Sequence, residues 1–308
     1  MTVADIVRAT ITVGRANRLD LVHFGIWSRI EILWRFFLLR ANIKRAHVGG
    51  TQRYVPSQAF NALDPSEKGA VTYFLAGAAA KLVSERFGIE WLLHHDVYSE
   101  PITPYGTPGL NVSPTNGIQR KPDFIGVRSD KRVGIFESKG RTRTIDRKAQ
   151  EEAKYQTTVV KSVNGHAPTW RIATLLELNA NGVRTQVIDP PEVADDSLEV
   201  DFEFRRAILE YYCVFLSLFD SDIAMSKRVS EDGYLKTYLP ELDIQLGIGE
   251  RMYAALRALR DTDKAPTFEH ILSTLREAKP RRAVTFPGLT SIGSDGLSIK
   301  LGRIWDLE

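Results

Sequence analysis

Asp123, Glu137 and Lys139 form a set of ionisable side chains that a short hairpin would gather at a single point. They fall in the stretch KPDFIGVRSDKRVGIFESKG, residues 121–140. Asp123 opens a short apolar run, Phe124 to Val127, that reads as a strand. Ser129-Asp130-Lys131 reads as a turn, and Val133 to Ser138 as the second strand of a hairpin. Residues two apart on a strand share a face, so Glu137 and Lys139 point the same way. The hairpin brings Asp123 towards that face. Two carboxylates converging beside a lysine at the end of a buried sheet are costly unless a cation sits between them. Mg²⁺ suits such a site, because it takes one or two protein carboxylates and keeps waters and phosphate oxygens as its other ligands. Mn²⁺ is expected to substitute for it.

The residues that follow extend this reading. Arg141, Arg143, Arg147 and Lys148 surround the start of a helix expected from Thr144 to Val163. Helix N-terminal amides together with arginines make a phosphate-binding site. Along that helix Ile145, Ala149, Ala153, Gln156, Val160 and Val163 form one stripe, and Gln156 is its single polar member. A buried amide needs partners, which are either the site or stray backbone groups. Three other (D/E)xK matches, at 146–148, 152–154 and 277–279, lie in helical patterns, where residues i and i+2 do not share a face. Glu137-Ser138-Lys139 alone ends an apolar strand that follows another apolar strand.

Pro122-Asp123 followed by Glu137-Ser138-Lys139 resembles the PD-(D/E)xK motif of the restriction-endonuclease-like nuclease superfamily. The order of helix, three strands, helix and strand over about residues 64–190 is similar to that superfamily's core. The resemblance implies that Asp123 and Glu137 hold the metal and that Lys139 positions or activates the attacking water. It also implies a place at the site for Gln156, since related nucleases often carry a Gln or Lys on this helix. The implied activity is Mg²⁺-dependent hydrolysis of DNA phosphodiester bonds, as an endonuclease, in the setting of bacterial restriction or anti-phage defence. The chain departs from the pattern on the first core helix. Many members place an acidic residue there, whereas this helix reads Ala76-Gly77-Ala78-Ala79-Ala80 at its middle. Glu85 comes a turn or more later and reads as a surface residue, so a third carboxylate for two-metal chemistry is not evident. Two rival readings stand beside the nuclease: a catalytically silent scaffold of the same fold that binds nucleic acid or protein, and an RNA-directed enzyme.

The elements that must position these residues are legible around them. Asp64-Pro65-Ser66 reads as a helix start and Gly88 as its stop, enclosing a run rich in small residues. Glu90 to Tyr98 reads as a strand and residues 99–120 as a long loop rich in Pro, Gly, Ser, Thr and Asn. Trp170 to Leu178 and Val183 to Ile188 read as strands joined by Asn179-Ala180-Asn181-Gly182. Beyond Pro190-Pro191, Leu198 to Phe219, Ile248 to Leu259 and Phe268 to Ala278 read as helices, and Val284 to Ile304 as a Gly-rich hairpin. The expected fold class is α/β: a restriction-endonuclease-like core, a mixed sheet flanked by helices. The expected organisation is an N-terminal helical extension at 1–63, the nuclease core at 64–190, and a mainly helical domain with a terminal hairpin at 191–308.

Composition narrows the remaining classes. With 43% hydrophobic and 26% charged residues in 308, the chain is an ordinary globular one, which excludes wholesale disorder. A single cysteine, Cys213, excludes an intramolecular disulfide and a cysteine-rich zinc site, and fits a reducing, cytoplasmic setting. Neither a Walker A sequence nor a serine nucleophile elbow occurs. His94 and His95 are adjacent, hence on opposite strand faces, and have no ligand-spaced companion. The near-neutral total hides segregated charge. Residues 1–50 hold eight basic and three acidic residues, 115–150 ten and four, and 186–222 two and ten. Basic regions suit polyanions such as DNA. The apolar stretch Leu21–Ile43 contains Arg29, Glu31, Arg35 and Arg40, each costing ~2.5–3.5 kcal/mol at a bilayer centre, so no membrane association is expected. Its Trp27, Trp34, Phe36 and Phe37 are of the kind that interface cores favour. One motif per chain cuts one strand, so a homodimer or a multi-protein complex is the expected working form.

Overall fold

The computed structural model describes residues 2–13, 25–95, 121–190, 198–220, 228–261, 266–279 and 289–305, without the side chains of 25–32 and 198. The loop expected at 99–120, the end of the strand expected to reach Tyr98, and the start of the hairpin expected from Val284 lie outside the described residues. So do the side chains of Trp27 and Arg29. The chain divides into two compact units, Met1–Phe36 with Phe204–Leu307, and Phe37–Glu203. Its class is mixed α/β. Among the described residues no helix is long and apolar enough to cross a membrane.

The unit Phe37–Glu203 is built on a five-stranded mixed sheet. Its strands are β3 (Trp91–His94), β4 (Phe124–Val127), β5 (Val133–Arg141), β7 (Trp170–Asn179) and β8 (Gly182–Ile188), in that order across the sheet. β5 and β7 are parallel, with Glu137 opposite Ala173, and the other pairs are antiparallel. Helix α4 (Pro65–Arg86) covers one face. Asp64 caps it, with its side chain accepting from the Ser66 and Glu67 amides while the Glu67 carboxylate accepts from the Asp64 amide. Gly88, at φ +74°, ends it in the left-handed region. Small residues let this helix lie close to the sheet, so close that a Cβ on Gly140 of β5 would meet the Thr72 carbonyl oxygen at 2.1 Å.

Helix α5 (Arg147–Thr158) crosses from β5 to β7 and covers the opposite face, where Ala149 and Ala153 pack with Ile145, Ala173 and Leu175. It ends earlier than the expected Val163. Thr157 to Val160 is a run of β-branched residues, which lowers helix propensity. Val160–Val163 instead forms strand β6, parallel to β9 (Leu198–Val200). Two elements precede α4 in this unit. β1 (Ile43–Val48) and β2 (Thr51–Pro56) form an antiparallel hairpin, and α3 (Gln58–Ala62) is a short helix.

The other unit differs from the expectation of a mainly helical C-terminal region. It carries a five-stranded antiparallel sheet: β10 (Val229–Glu231), β11 (Tyr234–Leu239), β12 (Ile244–Gly249), β14 (Leu297–Leu301) and β13 (Thr290–Ile292), in that spatial order. Asp232-Gly233, with both φ values positive, makes the β10–β11 turn, in a stretch where no element is expected from the sequence. The expected helix from Ile248 begins at Glu250, because Ile244–Gly249 is paired in the sheet. Likewise the helix expected from Leu198 begins at Phe204. α6 (Phe204–Asp220), α7 (Glu250–Arg260), α8 (Phe268–Ala278) and α1 (Val3–Thr12) complete it, with α2 (Gly25–Asn42) beginning there. Two groups of polar side chains tie it together. Ser291 Oγ donates to Asp5 and accepts from Arg8 Nε, and the Tyr211 and Tyr212 hydroxyls donate to Asp295.

Candidate active site

The polar end of β5 places the site. Val133, Ile135 and Phe136 are buried on a strand covered by helices on both faces. Glu137, Ser138 and Lys139 then follow without leaving the ladder, because β5 continues its pairing with β7 as far as Arg141 opposite Glu177. Alternation sends Glu137 and Lys139 towards α5, as the spacing predicts. Asp123 comes in one residue before β4, beside Glu137.

Hydrogen bonds cross-link the two carboxylates. The Asp123 amide donates to Glu137 Oε2 at 3.0 Å. The Ser138 amide and hydroxyl both donate to Asp123 Oδ2, at 3.0 and 2.7 Å. Ser138, the variable residue of the motif, thereby fixes the orientation of Asp123, and no composition or spacing signal marks it for that task. Asp123 Oδ1 has no hydrogen bond among the described residues. Lys139 Nζ lies 2.7 Å from Glu137 Oε1 and donates to Gln156 Oε1 at 2.5 Å. Gln156 Nε2 donates to the Lys121 carbonyl at 2.9 Å. The structure thus brings Asp123, Glu137, Lys139 and Gln156 into one connected group, with Gln156 on α5 and buried against the sheet.

Glu137 is the group under most electrostatic stress. Its side chain is 1% exposed. Its Oε1 has a charge contact with Lys139 but no aligned hydrogen bond. Burial first, then the Asp123 charge, push its carboxyl from 4.5 up to about 8, against the opposing pull of Lys139. The folded protein therefore holds a proton here that the unfolded chain releases above about pH 4.5. Metal-free stability should fall as pH rises from about 4.5 to about 8, by up to about 1.4 kcal/mol per pH unit. Glu137→Gln should flatten that slope, and a saturating divalent cation should reduce it by favouring the ionised form. Denaturant unfolding at a series of pH values reads this directly. Parallel profiles for the parent and Glu137→Gln would show that Glu137 carries no such stress.

The basic flank surrounds the start of α5. Asp146 caps that helix, accepting from the Ala149 amide at 2.8 Å, so part of the N-terminal donor set is satisfied within the protein. Arg143, Arg147 and Lys148 are exposed, and Arg141 is half-buried at the end of β5. Glu177, buried on β7, accepts from the Ile145 amide at 2.8 Å and holds the connection in which Arg141 and Arg143 lie. Glu85, expected at the surface, is intermediate in exposure. It is 15% exposed and lies 3.6 Å from the fully buried Lys81, one helical turn away. His95 adjoins the site through its backbone, its amide donating to the Asp123 carbonyl at 2.9 Å, while His94 packs on Phe124.

Among the described residues no group of three or more His, Cys, Asp and Glu is placed to hold a metal ion. The two carboxylates nonetheless fit a hard divalent cation. They offer only oxygen donors, one oxygen of Asp123 is uncommitted, and the buried Glu137 Oε1 lacks an aligned donor. Such a pair of carboxylates, if completed by water and phosphate oxygens, would suit Mg²⁺ or Mn²⁺. Compared with protein-family models, curated proteins and solved structures, the chain matches none.

Proposed function

We propose that the unit Phe37–Glu203 is a metal-dependent nuclease that hydrolyses DNA phosphodiester bonds as an endonuclease, on a restriction-endonuclease-like core. One observation carries this reading. Asp123 and Glu137 are cross-linked by hydrogen bonds at the end of β5, with Lys139 held between Glu137 and Gln156. The element order around the site supports it: helix α4, the antiparallel strands β3, β4 and β5, helix α5, and β7 parallel to β5.

Asp123 and Glu137 would hold the cation. A divalent ion bound there supplies Lewis-acid stabilisation of charge on the phosphate and lowers the pKa of a water. Ser138 holds Asp123 Oδ2, so that Oδ1 is the oxygen presented. Lys139 Nζ, anchored by Gln156, stands ready to orient the attacking water and offset developing negative charge. The exposed Arg143, Arg147 and Lys148 supply positive field along the approach of the polyanion. A role in restriction or anti-phage defence, in a homodimer or larger complex, extends the same reading.

The metal arm has its own test. Mg²⁺ or Mn²⁺ at a hundredfold excess over its Kd should stabilise the protein by about 2.7 kcal/mol, a thermal shift of several degrees. Asp123→Ala should erase the shift. A parent protein whose melting temperature ignores both cations would favour a silent scaffold of the same fold.

A further inference from the structure

From residue 32 to residue 63 the chain contains five Lys or Arg and one His, and no Asp or Glu. The middle of this segment is the hairpin of β1 (Ile43–Val48) and β2 (Thr51–Pro56). At its base Ile43, Val55 and Pro56 are buried. Towards its tip the pairs are His47 with Gln52 and Ala46 with Arg53, and Lys44, His47, Thr51, Gln52 and Arg53 are exposed. The turn is Gly49-Gly50, at φ +58° and +77°, a conformation that suits glycine and leaves the tip narrow. A Cβ at either position would meet nothing within 4 Å, so backbone conformation rather than crowding calls for glycine there. Arg45 lies over the Tyr54 ring at 5.8 Å. Among the described residues no carboxylate forms an ion pair with Lys44, Arg45 or Arg53.

The place of this ribbon in its unit matters as much as its charge. β2 packs on the β7–β8 hairpin, where Gly182 takes φ +111° and a Cβ would meet the Tyr54 carbonyl oxygen at 2.9 Å. Arg53 Nη1 donates to the Asn181 carbonyl at 3.4 Å. β7 runs parallel to β5, so this turn lies at the same end of the sheet as Lys139 and Arg141. Ala173 is opposite Glu137, and the turn begins at Asn179, about 20 Å further along the strand at the usual strand rise.

We propose that the β1–β2 ribbon is a DNA-groove element of this protein, gripping duplex DNA beyond the end of the sheet at which Asp123, Glu137 and Lys139 lie. A two-stranded ribbon is a shape that the major groove admits. Lys44 and Arg53 supply the cations that meet phosphates, and His47, Thr51 and Gln52 supply hydrogen-bonding groups at the tip. The location of the cut rests on the nuclease reading, whereas the binding does not.

The test uses the full chain carrying Glu137→Gln and fluorescence anisotropy on a duplex of about thirty base pairs across a salt series. Adding Lys44→Ala and Arg53→Ala should weaken binding and lower the slope of log K against log salt by about two. Lys44→Gln with Arg53→Gln, which keeps side-chain length, should do the same with an unchanged melting temperature. An unchanged slope in both folded variants overturns the proposal. So does equal, ribbon-dependent binding of duplex RNA, whose deep, narrow major groove excludes such an element. DNA binding that depends on the ribbon in a chain whose parent cuts no DNA would keep the groove element and remove the nuclease reading.

Discussion

Purified Glu137→Gln and Lys139→Ala proteins are expected to lose metal-dependent DNA cleavage by at least about 10³-fold while still melting cooperatively. The glutamine keeps the shape of the side chain and an oxygen for the Asp123 amide, which donates to Glu137 Oε2 at 3.0 Å. It removes the negative charge that would hold a cation. Because burial raises the Glu137 carboxyl to about 8, the substitution should cost the metal-free fold little at neutral pH and should stabilise it above that. Lys139 is only 20% exposed, so its truncation removes some aliphatic packing, which the melts will register. It does remove the ammonium that links Glu137 Oε1 to Gln156 Oε1. Circular dichroism melts beside single-turnover cleavage separate the two effects. Cleavage within tenfold of the parent by either variant would show that the group is an ion pair at a strand end and no more.

Gly140→Ala should be the most damaging single-methyl change in the unit. The added Cβ would lie 2.1 Å from the Thr72 carbonyl oxygen and 2.9 Å from the Tyr73 amide nitrogen. Both are helix backbone, which cannot rotate away as a side chain could. Either α4 moves off the sheet or β5 bends just beyond Lys139. Overpacking of this kind costs about 1–3 kcal/mol and sometimes more. At about 2–4 °C per kcal/mol for a unit of this size, the melting temperature should fall by roughly 2–12 °C. Cleavage should fall as well, since the strand that would bend carries both Glu137 and Lys139. A Gly140→Ala protein that melts within a degree of the parent would mean that α4 does not lie where the structure has it.

How far the sequence revealed this molecule depends on the kind of signal each element carries. Local signals were dependable in the site-bearing unit. The Asp64 cap and the Gly88 stop bound α4, and the alternation of Glu137 and Lys139 put both on the α5 face. Gln156, the polar member of an apolar stripe, lies against that face with both ends of its amide engaged. The stripe itself was misread at its end, since Val160 and Val163 belong to β6 and not to the helix. In the other unit the apolar residues of Tyr234–Leu239 and Ile244–Gly249 become a sheet core only when β14, some fifty residues later, pairs with β12. No local pattern reports that pairing. Ser138 escaped for a similar reason: its worth lies in the Asp123 carboxylate, which the hairpin brings to it across fifteen residues.

Supercoiled plasmid incubated with the purified full chain reads out phosphodiester cleavage itself. In millimolar Mg²⁺ or Mn²⁺ the plasmid should become nicked or linear, EDTA should suppress the conversion, and Glu137→Gln prepared alongside should leave the plasmid intact. Intact plasmid in both metals, from a folded protein whose melting temperature also ignores them, would mean that this chain is not a metal-dependent nuclease.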